Sequence, residues 1–267
     1  MPEGPEVKVV TDWLDLTYRS CVIIDNQRFP EINGYCINHI HCKGKQIFFV
    51  LVKQDSSRLY LNARLGMTGR FTDNPTPIGR FWLKLKLTTI DGSLKITVSE
   101  KELHYHICYF GHIGMMTNDQ YIEKLDQLGP DLLSEHVDYN VWVTKIKNKR
   151  IANKQICDFL LEQKYFCGIG NYLKCDILYI CKIRPDRPLK LLTDEEIHLL
   201  YYYSINIIKQ SYSCGGLTIK DFWSPLGKPG LYKTLIYDKE VDKNGYAVVK
   251  EDFKDKRTTH WVKEIQK

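Results

Sequence analysis

The sequence predicts an α+β fold: one helix at the start, an antiparallel β region, a run of helices and a short β-rich end. Three observations carry that prediction. Val7, Val10 and Leu14 recur at helical spacing, so residues 5–19 read as an amphipathic helix. Residues 81–89 alternate instead, with Leu83, Leu85 and Leu87 separated by Lys84 and Lys86, which is the period of a strand. Helical periodicity returns beyond residue 117 and gives way to polar β-type sequence from Thr234.

Each element has its own signal. Pro5 suits the first turn of a helix, and Glu6 in that turn meets the positive end of the helix dipole. Residues 21–25, 47–52 and 58–62 read as short strands. Asp91-Gly92 is a hairpin turn signal, with residues 93–99 as the return strand, and the β region ends near Met116. Residues 118–128 follow a helical pattern that Leu128-Gly129-Pro130-Asp131 breaks, a candidate hinge between domains. Residues 139–147, 153–164, 171–181 and 193–210 read as helices, and Thr193 with Glu196 three residues on forms a capping box. Asn244-Gly245 marks a hairpin turn in the last stretch.

Composition narrows the class. With 267 residues and 43% hydrophobic content the chain can build two domains with proper cores. A formal charge of +6 is compatible with a polyanionic partner. No secretory signal or membrane-length apolar run is visible, so a reducing, intracellular compartment is expected and a membrane partner is not. The 9 cysteines include no C-x-x-C pair and none beyond Cys214, which argues against a zinc site built from cysteine alone and for a chain without metal or cofactor.

Two motifs carry chemistry. The chain opens Met1-Pro2-Glu3-Gly4-Pro5-Glu6. Removal of Met1 leaves Pro2 with a free secondary amine, and an N-terminal amine titrates at about 8, well below a lysine. Such an amine can attack an electrophilic carbon and form an iminium. Glu3 lies beside it as a proton donor or acceptor. The same residues also suit an ordinary capped helix start. The second motif is the turn Gly168-Ile169-Gly170-Asn171 between two helices. Its glycines allow a tight turn, and Asn171 opens the next helix, where N–H groups favour a phosphate. An ordinary helix–helix turn has the same spacing.

Together these motifs resemble the Fpg/Nei family of DNA glycosylases, formamidopyrimidine-DNA glycosylase and endonuclease VIII with their Nei-like relatives. Leu128-Gly129-Pro130 resembles the family's interdomain linker, and Ile183-Arg184-Pro185-Asp186-Arg187-Pro188 the segment after its second helix. Gly215-Gly216, Lys220-Asp221-Phe222 and Gly227-Lys228-Pro229-Gly230 resemble the run leading to its finger. The resemblance implies an N-terminal helix and antiparallel β-sandwich over residues 1–117 and a linker over 118–138. It further implies a helix–two-turns–helix DNA-binding domain over 139–225 and a C-terminal β-hairpin finger over 226–267.

It also implies a function: a monomeric, bifunctional DNA glycosylase and AP lyase of base excision repair. The partner is damaged DNA, duplex or single-stranded. The lesions are oxidised pyrimidines and ring-opened purines, removed through a Pro2 Schiff base with β- and δ-elimination. On the family's motifs, Pro2 is the nucleophile, Glu3 handles protons and Glu6 is the second N-terminal acid. Lys45, in His41-Cys42-Lys43-Gly44-Lys45, matches the hairpin lysine that reaches the active-site phosphate and sugar. Asn171, with Gly168 and Gly170, grips DNA. Met67, in Leu65-Gly66-Met67-Thr68-Gly69, matches the wedge that fills the gap left by a flipped base. Arg257, in Asp255-Lys256-Arg257-Thr258-Thr259, matches the fingertip arginine that holds a phosphate.

Two departures from the pattern matter. The family's Arg-Arg-Phe-Gly loop is here Cys108-Tyr109-Phe110-Gly111, so Phe110 is kept as a wedge while the arginine that reads the opposite base is replaced by Cys108. Val241, Asn244, Val262 and Ile265 stand where the finger's zinc thiolates would be, and the three apolar ones cannot ligate metal but can pack, which resembles the zincless finger of some Nei-like proteins. Two other classes use parts of the pattern: a non-catalytic binder of damaged or single-stranded DNA, and a small-molecule enzyme with an N-terminal proline. The second leaves Gly168, Asn171 and Arg257 without a role.

Overall fold

The computed structural model describes residues 2–67, 69–73, 81–90, 96–106, 111–217 and 229–267. They form two compact units, one holding Pro2, Glu6–Asp126 and residues 229–230, the other Glu3–Pro5, Gln127–Leu217 and Leu231–Lys267. The division falls at Asp126/Gln127, just before the Leu128-Gly129-Pro130-Asp131 break. The break itself is bound into the second unit. Gly129 N–H donates to Gln163 O at 2.8 Å, and Pro130 O accepts from Cys167 N at 3.0 Å.

In the first unit, helix α1 (Gly4–Tyr18) buries Val7, Val10, Leu14 and Tyr18, the stripe expected from their spacing. Eight strands follow: β1 (Val22–Asp25), β2 (Cys36–Lys43), β3 (Gln46–Val52), β4 (Arg58–Arg64), β5 (Arg70–Thr72), β6 (Phe81–Ile90), β7 (Ile96–His106) and β8 (His112–Met116). Their hydrogen-bonded order is β5-β7-β6-β1-β2-β3-β4-β8, antiparallel throughout. A single pair, Val22↔Cys36, joins β1 to β2, so the sheet folds over at that point. Phe49 on β3 and Phe71 on β5 meet at 5.8 Å although four strands lie between them in that order. The two halves thus face one another around a common core, the sandwich that the resemblance implied.

The apolar run of β3 is continuous because both of its faces are covered. Ile47, Phe49 and Leu51 point into the core. Phe48 lies under His41 and Tyr121, and Tyr121 of helix α2 (Asn118–Asp126) stacks on Tyr60 at 4.0 Å. The Asp91-Gly92 turn lies outside the described residues; β6 and β7 on either side pair from Ile90↔Ile96 to Phe81↔Tyr105. The strands β2 and β5 have no alternation in the sequence that marks them, since β2 mixes Asn38, His39, His41 and Cys42 across both faces.

In the second unit, helices α3 (Tyr139–Ile146), α4 (Ile156–Leu161), α5 (Asn171–Ile180) and α6 (Asp194–Ser213) enclose a core in which Trp142 stacks on Phe166 at 4.4 Å. The capping box of α6 is present, with Thr193 and Glu196 bonding each other's backbone N–H. The helix expected over 153–164 is shorter than its apolar pattern. Gln155 is extended and bridges to Pro188, and Glu162 leaves helical geometry at ψ 106°. Helix α5 is the centre of the unit, with every residue from Tyr172 to Tyr179 buried. Lys174 and Asp176 lie within that buried stretch, where a charge needs a partner.

Strands β9 (Val249–Asp252) and β10 (Thr258–Trp261) form the terminal hairpin. Its turn is the segment 253–257, with Lys256 at φ +56°. Asn244-Gly245 instead turns a separate loop before it, closed by the Val241↔Ala247 bridge, with Gly245 at φ +87°. The Asn-Gly signal thus marked a positive-φ turn correctly but not the strand pair it joins. Among the described residues, no helix is long and apolar enough to cross a membrane.

Candidate active site

The second unit builds its site on the N-terminus of α5. Glu3 is 2% exposed, and its carboxylate sits across the start of that helix. Oε2 accepts from Gly170 N at 2.7 Å and Leu173 N at 3.3 Å, and Oε1 accepts from Tyr172 N at 2.9 Å. A helix start offers unpaired N–H groups and a positive dipole end, so it stabilises an anion there. The sequence assigned these N–H groups to a DNA phosphate. The structure gives them to Glu3, whose place in the chain, 167 residues from Gly170, hid the pairing.

Glycine makes the approach possible. A Cβ on Gly170 would lie 2.2 Å from Glu3 Cδ. Gly168, at φ +105°, accepts from Gly4 N at 2.8 Å, and a Cβ on Gly4 would lie 2.8 Å from Gly168 Cα. The turn is held from behind by Gln163, which accepts from Gly168 N at 3.0 Å and donates to Ile169 O at 2.9 Å. The sequence reading gave Gln163 no role, because it placed the residue inside the helix expected over 153–164, whereas that helix ends at Leu161.

Asn171, the first residue of α5, donates through Nδ2 to Thr258 O at 2.9 Å. Arg257 is the adjacent residue of the hairpin, and its side chain is exposed. The structure therefore joins Glu3 to Gly170 directly, sets Gly168 against Gly4, and ties Asn171 to Thr258, the neighbour of Arg257.

The first unit holds the remaining candidates. Pro2 is buried and Glu6 is 0% exposed. Lys45 occupies the two-residue turn between β2 and β3, where Gly44 takes φ +58° at the first position, the pattern of a type II′ hairpin. Met67 stands on a different loop, 40% exposed, as a tip residue would be. Gly69 N closes that loop on Leu65 O at 2.7 Å, and the Tyr105 hydroxyl fixes Arg64 O below it. Phe110 and Cys108 lie outside the described residues, as do Thr68 and 218–228, which include Lys220-Asp221-Phe222.

The finger uses its apolar positions unequally. Val262 is fully buried and Ile265 packs beside it with Cys175, Tyr179 and Ile236, but Val241 is 52% exposed and packs against nothing of this cluster. Asp242 organises that loop instead. Its carboxylate accepts from Asn244 N at 2.8 Å, Tyr246 N at 2.9 Å and the Tyr179 hydroxyl at 2.9 Å. Burial pushes the carboxyl up, but the hydrogen bonds from Tyr246, Tyr179 and Asn244 outweigh it and hold the group below its usual range. On the inner side, the His260 ring stacks on Tyr237 at 4.7 Å and its Nδ1 accepts from Asp238 N at 2.6 Å. The side chains at the four thiolate positions do not fit a zinc ion. Dialysis against a chelator is expected to leave Tm and DNA affinity unchanged; a fall that added zinc reverses would contradict this account of the finger.

The comparisons agree with this architecture. Residues 128–222 match the formamidopyrimidine-DNA glycosylase H2TH domain. A formamidopyrimidine-DNA glycosylase of Zymomonas mobilis is 31% identical over 260 residues, covering 90% of each chain. An endonuclease 8 of Salmonella arizonae is 23% identical over the full length of both. The complex of Lactococcus lactis Fpg with DNA containing an abasic site superimposes with a TM-score of 0.82 at 24% identity, over 100% of both chains. The chain belongs to the formamidopyrimidine-DNA glycosylase and endonuclease VIII family, and is a DNA-binding DNA glycosylase of base excision repair.

Proposed function

We propose that this chain is a bifunctional glycosylase and AP lyase in which the Pro2 amine is the nucleophile and Glu3 manages protons. The observation that carries this reading is the Glu3 carboxylate, buried and fixed by three backbone N–H groups one residue after Pro2. A group held so tightly is pre-organised for a defined task rather than left to the solvent. In the proposed reaction the Pro2 nitrogen bonds to C1′ as the bond from C1′ to the damaged base breaks. The sugar ring opens at the C1′–O4′ bond to leave an iminium. Loss of a C2′ proton then drives cleavage of the C3′–O bond, and a second elimination at C5′ releases the other phosphate. Hydrolysis of the iminium restores the amine.

Lys45, Asn171 and Arg257 are the proposed phosphate ligands, with Gly168 and Gly170 shaping the turn that presents Asn171. Met67 and Phe110 are the proposed wedges, and Cys108 in place of arginine relaxes the choice of opposite base. On this reading residues 1–117 carry the nucleophile, 139–225 and 226–267 grip the duplex, and 118–138 link them. The favoured lesions are oxidised pyrimidines and ring-opened purines. The relatives' solved complexes hold DNA with a Fapy-dG or an oxidised pyrimidine, which supports the same range here.

Borohydride trapping tests the reading. With Met1 removal verified by mass, duplexes containing thymine glycol or an abasic site are expected to give a covalent adduct that maps to Pro2. An adduct on the abasic duplex alone would keep the lyase and change the lesion. No adduct on either would leave a DNA-binding homologue without catalysis.

A further inference from the structure

Lys174 is a charge inside a buried helix. It is 0% exposed, and its ammonium reaches two residues of the terminal hairpin: Asp255 Oδ2 at 2.5 Å and Thr259 Oγ1 at 2.7 Å. The Asp255 side chain is itself 2% exposed. Both partners turn their remaining capacity to one residue. Asp255 Oδ1 accepts from Arg257 N at 3.0 Å, and the Thr259 hydroxyl donates to Arg257 O at 3.3 Å. The two backbone groups of Arg257 are thus both held by side chains that Lys174 holds. Asn171, one turn earlier on the same helix, takes the intervening carbonyl of Thr258. Leu173, the residue before Lys174, donates its N–H to Glu3.

The energetics point the same way. A buried ion pair seldom stabilises a fold more than apolar residues of the same size would, because desolvation offsets the attraction. Such a pair does impose one geometry, since neither charge tolerates a displaced partner. Here the geometry imposed is that of a turn with Lys256 at φ +56°, which leaves Arg257 exposed at its end.

We infer that Lys174 is a positioning residue for Arg257: through Asp255 and Thr259 it fixes the backbone from which the guanidinium reaches DNA. The inference rests on the proposed role of Arg257 as a phosphate ligand.

The test compares wild type, Arg257→Ala, the double variant Lys174→Met/Asp255→Ala and the triple variant combining them. Lys174→Met alone leaves the Asp255 carboxylate buried without its partner and risks misfolding; the double variant removes both charges together. The measurement is affinity for a duplex carrying an abasic-site analogue across a salt series, with Tm recorded for each protein. Arg257→Ala is expected to lower the slope of log K against log salt by about 0.9, the loss of one phosphate contact. The double variant should lose a similar slope while remaining folded, and the triple variant should bind no more weakly than Arg257→Ala. Thr259→Val, which keeps the ion pair and removes only the hydroxyl, should lose part of the slope and serves if the double variant does not fold. A wild-type slope in the double variant or in Thr259→Val, with a lowered one in Arg257→Ala, overturns the positioning role alone. Losses that simply add in the triple variant overturn it too. A wild-type slope in Arg257→Ala overturns the reading of Arg257 and this inference with it.

Discussion

Glu3→Gln is expected to slow excision of an oxidised base by about 10²- to 10⁴-fold, the range that a positioned proton-transfer group supplies. The carboxylate offers only acceptors, and three N–H groups point at its two oxygens. An amide at that position must turn its NH₂ toward at least one of those donors. The change therefore removes the charge and also sets donor against donor, and hydrogen bonds to a charged group are worth about 1.5–3 kcal/mol each. Stability should fall with activity. Single-turnover excision from a thymine glycol duplex measures the first effect, and thermal unfolding the second. Adduct formation on a preformed abasic duplex should survive better than excision, since the base has already gone. Excision at the wild-type rate would remove Glu3 from the chemistry.

Gly170→Ala is expected to give the second large effect, through the same carboxylate. Gly170 lies at φ −128°, a conformation open to any residue, so alanine meets no backbone strain there. The conflict is wholly with Glu3, whose Cδ, Oε1 and Cγ would lie 2.2, 2.4 and 2.6 Å from the new Cβ. Both groups are buried, and an overpacked core costs about 1–3 kcal/mol. A chain of this size should lose roughly 2–4 °C in Tm per kcal/mol. Excision should fall as Glu3 is displaced from the helix start. The cause can be isolated in a Glu3→Ala background, where the clash is gone. There Gly170→Ala should cost almost nothing in Tm, and an equal cost in both backgrounds would place the strain elsewhere.

Much of the fold was legible because the sequence repeats its instructions locally. The stripe Val7, Val10, Leu14 set α1, Thr193 and Glu196 set the start of α6, and the alternation of Leu83, Leu85 and Leu87 set β6. Strand β2 was not legible, because a bulge between Ile37 and His39 breaks its alternation and brings Ile37 and Ile40, three residues apart, to the core, and because its identity comes from pairing with β3. The site divided in the same way. Pro2, Glu3 and the Gly168–Asn171 turn stood out as motifs, but their relation did not, since periodicity is blind to contacts between residues so far apart in sequence. The partner of the helix N-terminus therefore came out as Glu3 where a phosphate was expected. Lys174 and Asp255 left a trace only in hindsight: a lysine inside the otherwise apolar Tyr172-Leu173-Lys174-Cys175 must have an acid somewhere.

The Asp242 loop has a consequence for when the enzyme can work. A finger built on zinc depends on thiolates, and thiolates are the first protein groups to be lost to peroxide. Here the corresponding loop is folded by a carboxylate, a carboxamide and a phenol, none of which reacts under such conditions. Cys175, which packs with Val262 and Ile236, is fully buried, and burial pushes its thiol up to about 12, so it stays protonated. This loop is thus held by groups other than thiolates, so exposure to peroxide should leave its hydrogen bonds in place.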